Sequence, residues 1–307
     1  MLLDTIAPLR KHSVTNRMTT RDNSVASRDL IEKLYTLLLE EVRNGDYNNS
    51  ELLLIQDPVL YYGRYLDPRT RNYALYNAVS NLSTAVAYLS SSNCSRRLLD
   101  LGCGLGMQSI LFAASGWNVL GLDYHPESIS LCRKRKAYFE RRLGCQLNLE
   151  FVARDFRRAD PRSLGDQFDA VFSMSAFAQM QPLRDTVSKI STLLSDSGRI
   201  FLWEENPGHF FSDLLHFRSR SLPRPQAVRE ELARHDFETE LLSGGCVIPR
   251  QLWRPPAVLS LVAALDSLLK RNLALSFTYL LGASRTPTVH LSHRHPSDLL
   301  QYPHSAR

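Results

Sequence analysis

The apolar positions of this chain change rhythm several times, and each change marks an element. Leu30/Ile31, Leu34, Leu37/Leu38 and Val42 recur at helical spacing, which predicts an amphipathic helix from Arg28 to about Asn44-Gly45. Tyr76, Val79, Leu82, Val86 and Leu89 repeat the pattern from Asn72 onward. Between these helices, Asp57-Pro58 and Asp67-Pro68 are turn signals that enclose Tyr61-Tyr62-Gly63-Arg64-Tyr65, an aromatic cluster read either as a lid or as packing of a helical layer. From Leu98 the pattern becomes one of short, nearly continuous apolar runs. Leu98 to Leu101, Trp117 to Leu122, Leu147 to Ala153, Phe168 to Ser173 and Arg199 to Trp203 read as buried strands. Helices at Ile110 to Ala114, Pro126 to Arg142 and Pro182 to Leu194 separate them. Strands alternating with helices predict an α/β fold with a parallel sheet.

The last third is less regular. Phe210, Phe211, Leu214, Leu215 and Phe217 form an apolar stripe between Pro207 and Pro223, and a helix is expected over Val228 to His235. A strand near Phe237 to Leu242, an apolar helix opened by Pro255-Pro256 and reaching about Lys270, and a final strand from Ser276 to Ala283 complete the pattern. Residues 1–26 and 284–307 read as disordered ends, the second with three prolines and four histidines that read as solvated rather than metal-binding. The span 27–95 is then a helical cover in front of the α/β region 96–283.

Chemistry concentrates between Arg97 and Asp123. A strand, a turn holding Gly102, Gly104 and Gly106, a helix and a second strand ending on Asp123 have the layout of a nucleotide-binding β-α-β unit. Glycines let a backbone turn sharply and approach a ligand with no Cβ in the way. An acid at the end of the second strand can accept both hydroxyls of a ribose. The dinucleotide fingerprint G-x-G-x-x-G would need glycine at position 107, which is Met107. The pattern present is Asp100-x-Gly102-x-Gly104-x-Gly106.

That pattern resembles motif I of the class I S-adenosylmethionine-dependent methyltransferases. The resemblance covers Leu98 to Trp203 well and the flanks in outline. It implies a Rossmann-like, seven-stranded, mostly parallel sheet with helices on both faces, preceded by a helical N-terminal extension. The implied cofactor is S-adenosyl-L-methionine, held by Asp100, Gly102, Gly104, Gly106, Asp123, Tyr124, Asp155, Phe156 and Ser173. In the family an acid in the place of Asp155 accepts from the adenine amino group, and the next residue, here Phe156, packs on the ring.

Composition adds exclusions. The five cysteines contain no C-x-x-C pair, so neither zinc nor a disulfide framework is indicated, and a reducing, cytoplasmic setting is expected. No segment is apolar over the length of a signal peptide or membrane span. Net charge is +6, and its densest run, Arg133 to Arg142, reads as a solvated helix face rather than a nucleic-acid patch. No tyrosine has lysine four residues on, which removes a short-chain dehydrogenase. The Asn/Asp-Pro-Pro-Tyr signature that grips planar amines is replaced by Ser173-Met174-Ser175-Ala176-Phe177. Glu204, Glu205, His209 and His125 fall near the mouth of the site, and none is singled out as a base. The expectation is a methyltransferase for a small or lipid-like acceptor, with an RNA methyltransferase or a non-catalytic cofactor-binding module as alternatives.

Overall fold

The computed structural model describes residues 20–57, 62–91, 96–165, 167–210, 222–247, 259–269 and 272–286. Seven strands form one sheet in the order β3-β2-β1-β4-β5-β7-β6. They are β1 Arg97–Leu101, β2 Asn118–Asp123, β3 Leu149–Ala153, β4 Phe168–Met174, β5 Leu194–Glu205, β6 Phe237–Cys246 and β7 Thr278–Arg285. The first five run parallel, and β7 lies antiparallel between β5 and β6. All carboxyl ends but that of β7 therefore share one edge, where Asp123 of β2, Glu205 of β5 and Cys246 of β6 stand.

Parallel strands covered on both faces need apolar side chains pointing both ways, and the sequence supplies them. Leu98, Val119, Ala170 and Phe201 point toward one layer, made by α1 (Thr20–Asn44), α4 (Arg71–Leu89), α5 (Met107–Ala114) and α6 (Pro126–Leu143). Leu99, Leu122, Val171 and Ile200 point toward the other, with α7 (Leu183–Leu193) and α8 (Pro225–Ala233). Local signals set the helix ends. Pro126 opens α6 and Gly144, at φ 71°, closes it in the left-handed conformation that glycine adopts without strain. Among the described residues no helix is long and apolar enough to cross a membrane.

Several boundaries differ from the sequence pattern. Helix α1 begins at Thr20, inside the segment expected to be disordered. A helix the periodicity missed, α2 (Asn49–Gln56), is set by a reciprocal cap: Asn48 accepts from Glu51 N, and the Glu51 carboxylate accepts from Asn48 N. The aromatic cluster contains a single turn, α3 (Gly63–Leu66), and Tyr62 and Tyr65 are buried. The terminal strand runs to Arg285, two residues further than expected. Apart from Phe210, the stripe Phe210 to Phe217 lies outside the described residues, as do Pro255-Pro256. The apolar helix that follows is described from Leu259 to Leu269, as α9.

The basic run on α6 is a solvated face at Arg133, Lys134, Arg141 and Arg142, and one member departs from that expectation. Arg135 is fully buried, because the inward face of α6 that carries Leu131, Cys132 and Phe139 also carries residue 135. Its guanidinium grips the buried Glu41 of α1 with two bonds, at 2.9 and 3.0 Å. It lies 4.6 Å from the Tyr62 ring centre and donates to the Tyr62 hydroxyl at 3.1 Å and to the Leu105 carbonyl. Tyr47 adds a hydroxyl bond to Glu41 at 2.7 Å. Its neighbours in the run are also engaged: Lys134 with Glu51, Arg142 with Glu40, and Arg133 and Lys136 with the carbonyls of Phe151 and Leu149.

Removing one partner of a buried ion pair strands the other charge, which costs about 3–5 kcal/mol. Arg135→Met should therefore destabilise the protein by that amount in urea unfolding, whereas Arg135→Met with Glu41→Leu should recover most of the loss. A single-variant cost near that of a surface substitution would show that this pair does not hold the cover to α6.

Candidate functional site

The site is built on the turn between β1 and α5. Gly102, Gly104 and Gly106 all lie in the left-handed region, at φ 75°, 54° and 78°. A Cβ at Gly102 would stand 2.2 Å from that of Ala176, and one at Gly106 would stand 2.6 Å from the Phe151 ring. The turn thus depends on glycine for both conformation and space. Leu122 O accepts from Gly102 N and Cys103 N at 2.8 and 2.9 Å, which fixes the turn against β2.

Two acids flank it. Asp100 is buried at the end of β1, and Ser109 donates a hydroxyl to it at 2.5 Å. Burial pushes its carboxyl up to about 7, with the Asp123 charge adding to the rise and the Ser109 bond opposing it. Asp123 ends β2 and accepts from Gly104 N and His125 N, both at 3.0 Å, one on each oxygen. The oxygen that faces His125 also lies 3.2 Å from the His125 Nδ1, whereas the oxygen that faces Gly104 N keeps a lone pair for a further donor. Tyr124, 60% exposed, packs its ring on that of His125 at 3.6 Å between centres, the planes tilted by 40°.

Asp155 lies beside Asp123, since Arg154 N donates to Asp123 O at 2.7 Å. Its carboxylate is gripped by the Arg157 guanidinium at 3.0 and 2.9 Å and by Arg157 N, and these bonds hold it below the usual carboxylate range. The side chains of Phe156 and Ser173 face inward instead. Phe156 is buried in the layer of Leu164, Val187 and Ile190, with Lys189 over its ring, so its placement offers no open face to an adenine. The Ser173 hydroxyl donates to Leu101 O at 2.9 Å and accepts from Phe177 N at 3.1 Å, bridging two strand ends. The structure therefore gathers Asp100, the three glycines, Asp123 and Tyr124 at one place, with Asp155 one strand away.

The four residues considered as bases separate in the same manner. Glu204 is buried and accepts from Ala176 N and Phe177 N at 3.2 and 3.0 Å, which anchors the loop after β4. Burial pushes its carboxyl up to about 7 against those bonds. Glu205 is exposed, His209 packs on Phe277 at 4.3 Å, and His125 pairs with Asp123. Sequence reasoning missed Tyr62, whose hydroxyl accepts from Met107 N at 3.2 Å. Met107 is the first residue of α5, and Gly106 before it has no side chain to cap the helix. The signal lay in the aromatic cluster, but nothing local says which of its rings turns toward the glycines.

Known proteins share parts of this sequence and of its fold. Residues 99–200, about a third of the chain, match the sequence model of a methyltransferase domain family. The ubiquinone biosynthesis O-methyltransferase of Erwinia tasmaniensis is 28% identical over 106 residues. That alignment takes in 34% of this chain and 41% of the relative, so the chain matches well under half of the relative's length. Among solved structures, a SAM-dependent methyltransferase from Archaeoglobus fulgidus superposes with a TM-score of 0.50 at 18% identity, over 73% of this chain and 100% of that one. The [4+2]-cyclase SpnF also reaches 0.50, at 16% identity over 87% and 96%. A fold shared with a protein named as a cyclase does not fix the reaction.

The two raised carboxyls predict a pH dependence. An acid whose pKa is higher in the folded state binds its proton more tightly there. Its contribution is complete below its unfolded value, about 4, and is lost as pH rises through about 7. Glu204→Gln removes one such group and keeps an acceptor for the two amides. Its stability relative to wild type, measured by urea unfolding between pH 4.5 and 7.5, should rise by a few kcal/mol across that window. A constant difference would mean that Glu204 does not titrate there.

Proposed function

We propose that this chain, whose central domain is that of the class I S-adenosylmethionine-dependent methyltransferases, transfers the cofactor's methyl group to a small or lipid-like acceptor. The observation that carries the reading is the junction of the glycine turn and Asp123, with the carboxylate 3.0 Å from Gly104 N. A turn with no room for a Cβ at Gly102 or Gly106, beside an acid with a lone pair to spare on the oxygen that faces Gly104, fits a nucleoside whose ribose hydroxyls reach that acid. When bound, the cofactor supplies a methyl already activated by a sulfonium.

The residues of the chain then have positional tasks. Asp123 accepts from the ribose, Gly102 to Gly106 allow close approach, and the exposed Tyr124 offers a ring to the nucleoside. Asp155 has one carboxylate oxygen that accepts from Arg157 once and keeps a lone pair for the adenine amine, and Asp100 contributes negative charge from beneath the turn. Holding two reactants at attack distance is worth about 7–11 kcal/mol of a barrier, which is where such a fold does most of its catalysis. A nucleic-acid acceptor is disfavoured because members of the densest basic run are already paired, Arg135 with the buried Glu41 and Lys134 and Arg142 with Glu51 and Glu40 on the surface.

A thermal-shift screen tests the cofactor. Ligand at 100 times its dissociation constant adds about 2.7 kcal/mol, so S-adenosylmethionine or S-adenosylhomocysteine should raise the melting temperature, and NAD or NADP should not. Asp123→Ala should weaken binding of either sulfur nucleotide about ten- to a hundredfold by calorimetry, from loss of charge-assisted bonds. Unchanged affinity in a folded Asp123→Ala protein would remove that residue from the site. Methyl-labelled cofactor offered with a metabolite extract, read by mass spectrometry, identifies the acceptor.

A further inference from the structure

The side chain of Asp123 is 10% exposed, so few donors can reach the acid on which the nucleoside reading turns. Its bond from the amide two residues on, His125 N, is an Asx turn, and the chain bends at Tyr124 between them. That bend returns the side chain of residue 125 to the acid. The N-cap place of a helix is usually given to a side chain that bonds forward to the helix amides, and His125 holds that place before Pro126 of α6 without making such a bond. Its half-exposed imidazole turns back instead, with Nδ1 3.2 Å from Asp123 Oδ1 and the ring against Tyr124. A carboxylate only accepts, so the contact assigns the proton to Nδ1.

The acceptor positions of Asp123 can then be counted. Each carboxylate oxygen offers about two lone pairs. On Oδ1 both are met, one by His125 N at 3.0 Å and one by the imidazole. On Oδ2 Gly104 N takes one at 3.0 Å, and one remains. A ribose presents two neighbouring hydroxyls. An acid with one open position accepts from one of them.

We infer that His125 is a specificity-determining residue of the nucleoside site: by holding Oδ1 of Asp123, it leaves that acid to read a single ribose hydroxyl. The inference rests on the cofactor reading of Asp123 for the ligand, and on the imidazole contact for the count. The sequence pattern alone allows an acid at the end of β2 to take both hydroxyls; the histidine two residues on removes one of those places. The ligand class therefore widens to adenine nucleosides that lack the other hydroxyl.

Calorimetry with S-adenosylhomocysteine and its 2′-deoxy and 3′-deoxy forms tests the count on wild type, His125→Ala and His125→Phe. In wild type one deoxy form should bind about ten- to a hundredfold more weakly than the parent, the worth of a hydroxyl bonded to a charged acceptor, and the other should match the parent. In His125→Ala both deoxy forms should be weaker than the parent, because the freed oxygen takes the second hydroxyl. His125→Phe keeps a ring beside Tyr124 without a nitrogen and should behave as His125→Ala does. Both variants should keep the wild-type melting temperature, since the imidazole makes no cap bond to α6. Equal losses for the two deoxy forms in wild type, or no loss for either, overturn the inference. So does a wild-type pattern in His125→Ala or His125→Phe. If one variant does not fold, wild type and the other variant decide the matter. Adenosine, 2′-deoxyadenosine and 3′-deoxyadenosine are titrated in parallel. Should these bind wild type where S-adenosylhomocysteine does not, the methyltransferase reading fails and the adenosine series still decides for or against His125. Binding of none of the six to wild type overturns both.

Discussion

The pair of Arg135 and Glu41 is the constraint on which the candidate site depends. Two charges fully removed from water have a large desolvation cost, which is offset only when every lone pair and N–H is used. Here the guanidinium spends its donors on Glu41, on the Tyr62 hydroxyl and on the Leu105 carbonyl. Three parts of the chain meet in it: helix α1 from the cover, the start of the aromatic cluster, and the glycine turn itself. Tyr62 then passes the constraint on, because the same hydroxyl accepts from Met107 N. The cover is thus part of what fixes the glycine turn, and the order of the turn is linked to the packing of residues some sixty positions away in sequence.

This explains how a turn of three left-handed glycines can be rigid. Glycine has the largest conformational entropy to lose, so a loop rich in it is held only by contacts around it. Leu122 O fixes the first two amides after β1, Asp123 the amide of the second glycine, Gly104, and Tyr62 the amide that opens α5. On the opposite side, the methyl of Ala176 fills the space that a side chain at 102 would need. That residue is in turn held by the buried carboxyl of Glu204. The loop after β4 and the turn after β1 are therefore one packed unit, anchored by acids on either side.

Much of this was legible in the sequence, and the reasons are physical. The strands β1, β2, β3 and β4 announce themselves because a sheet covered on both faces demands short apolar runs. Asp123 announces itself because strand ends place side chains on one edge. The orientations of Phe156 and Ser173 were not legible, because a strand terminus fixes where a residue sits but not which way its side chain turns; one ring went into the layer of Val187 and Ile190 and one hydroxyl went to Leu101 O. Arg135 was hidden for the opposite reason. A basic run looks solvated until a carboxylate ninety-four positions away is placed against one member of it. Charge pattern along a helix cannot report a partner on another element.

The electrostatics of the edge have one further consequence. Asp100 and Asp123 are close enough that the charge of one raises the carboxyl of the other, and burial raises Asp100 further. Asp100 is hydrogen-bonded to Ser109 at 2.5 Å beneath the glycine turn, so the charge it carries is felt where the turn meets Asp123. The packing that makes the glycine turn rigid therefore also sets the polarity of that edge.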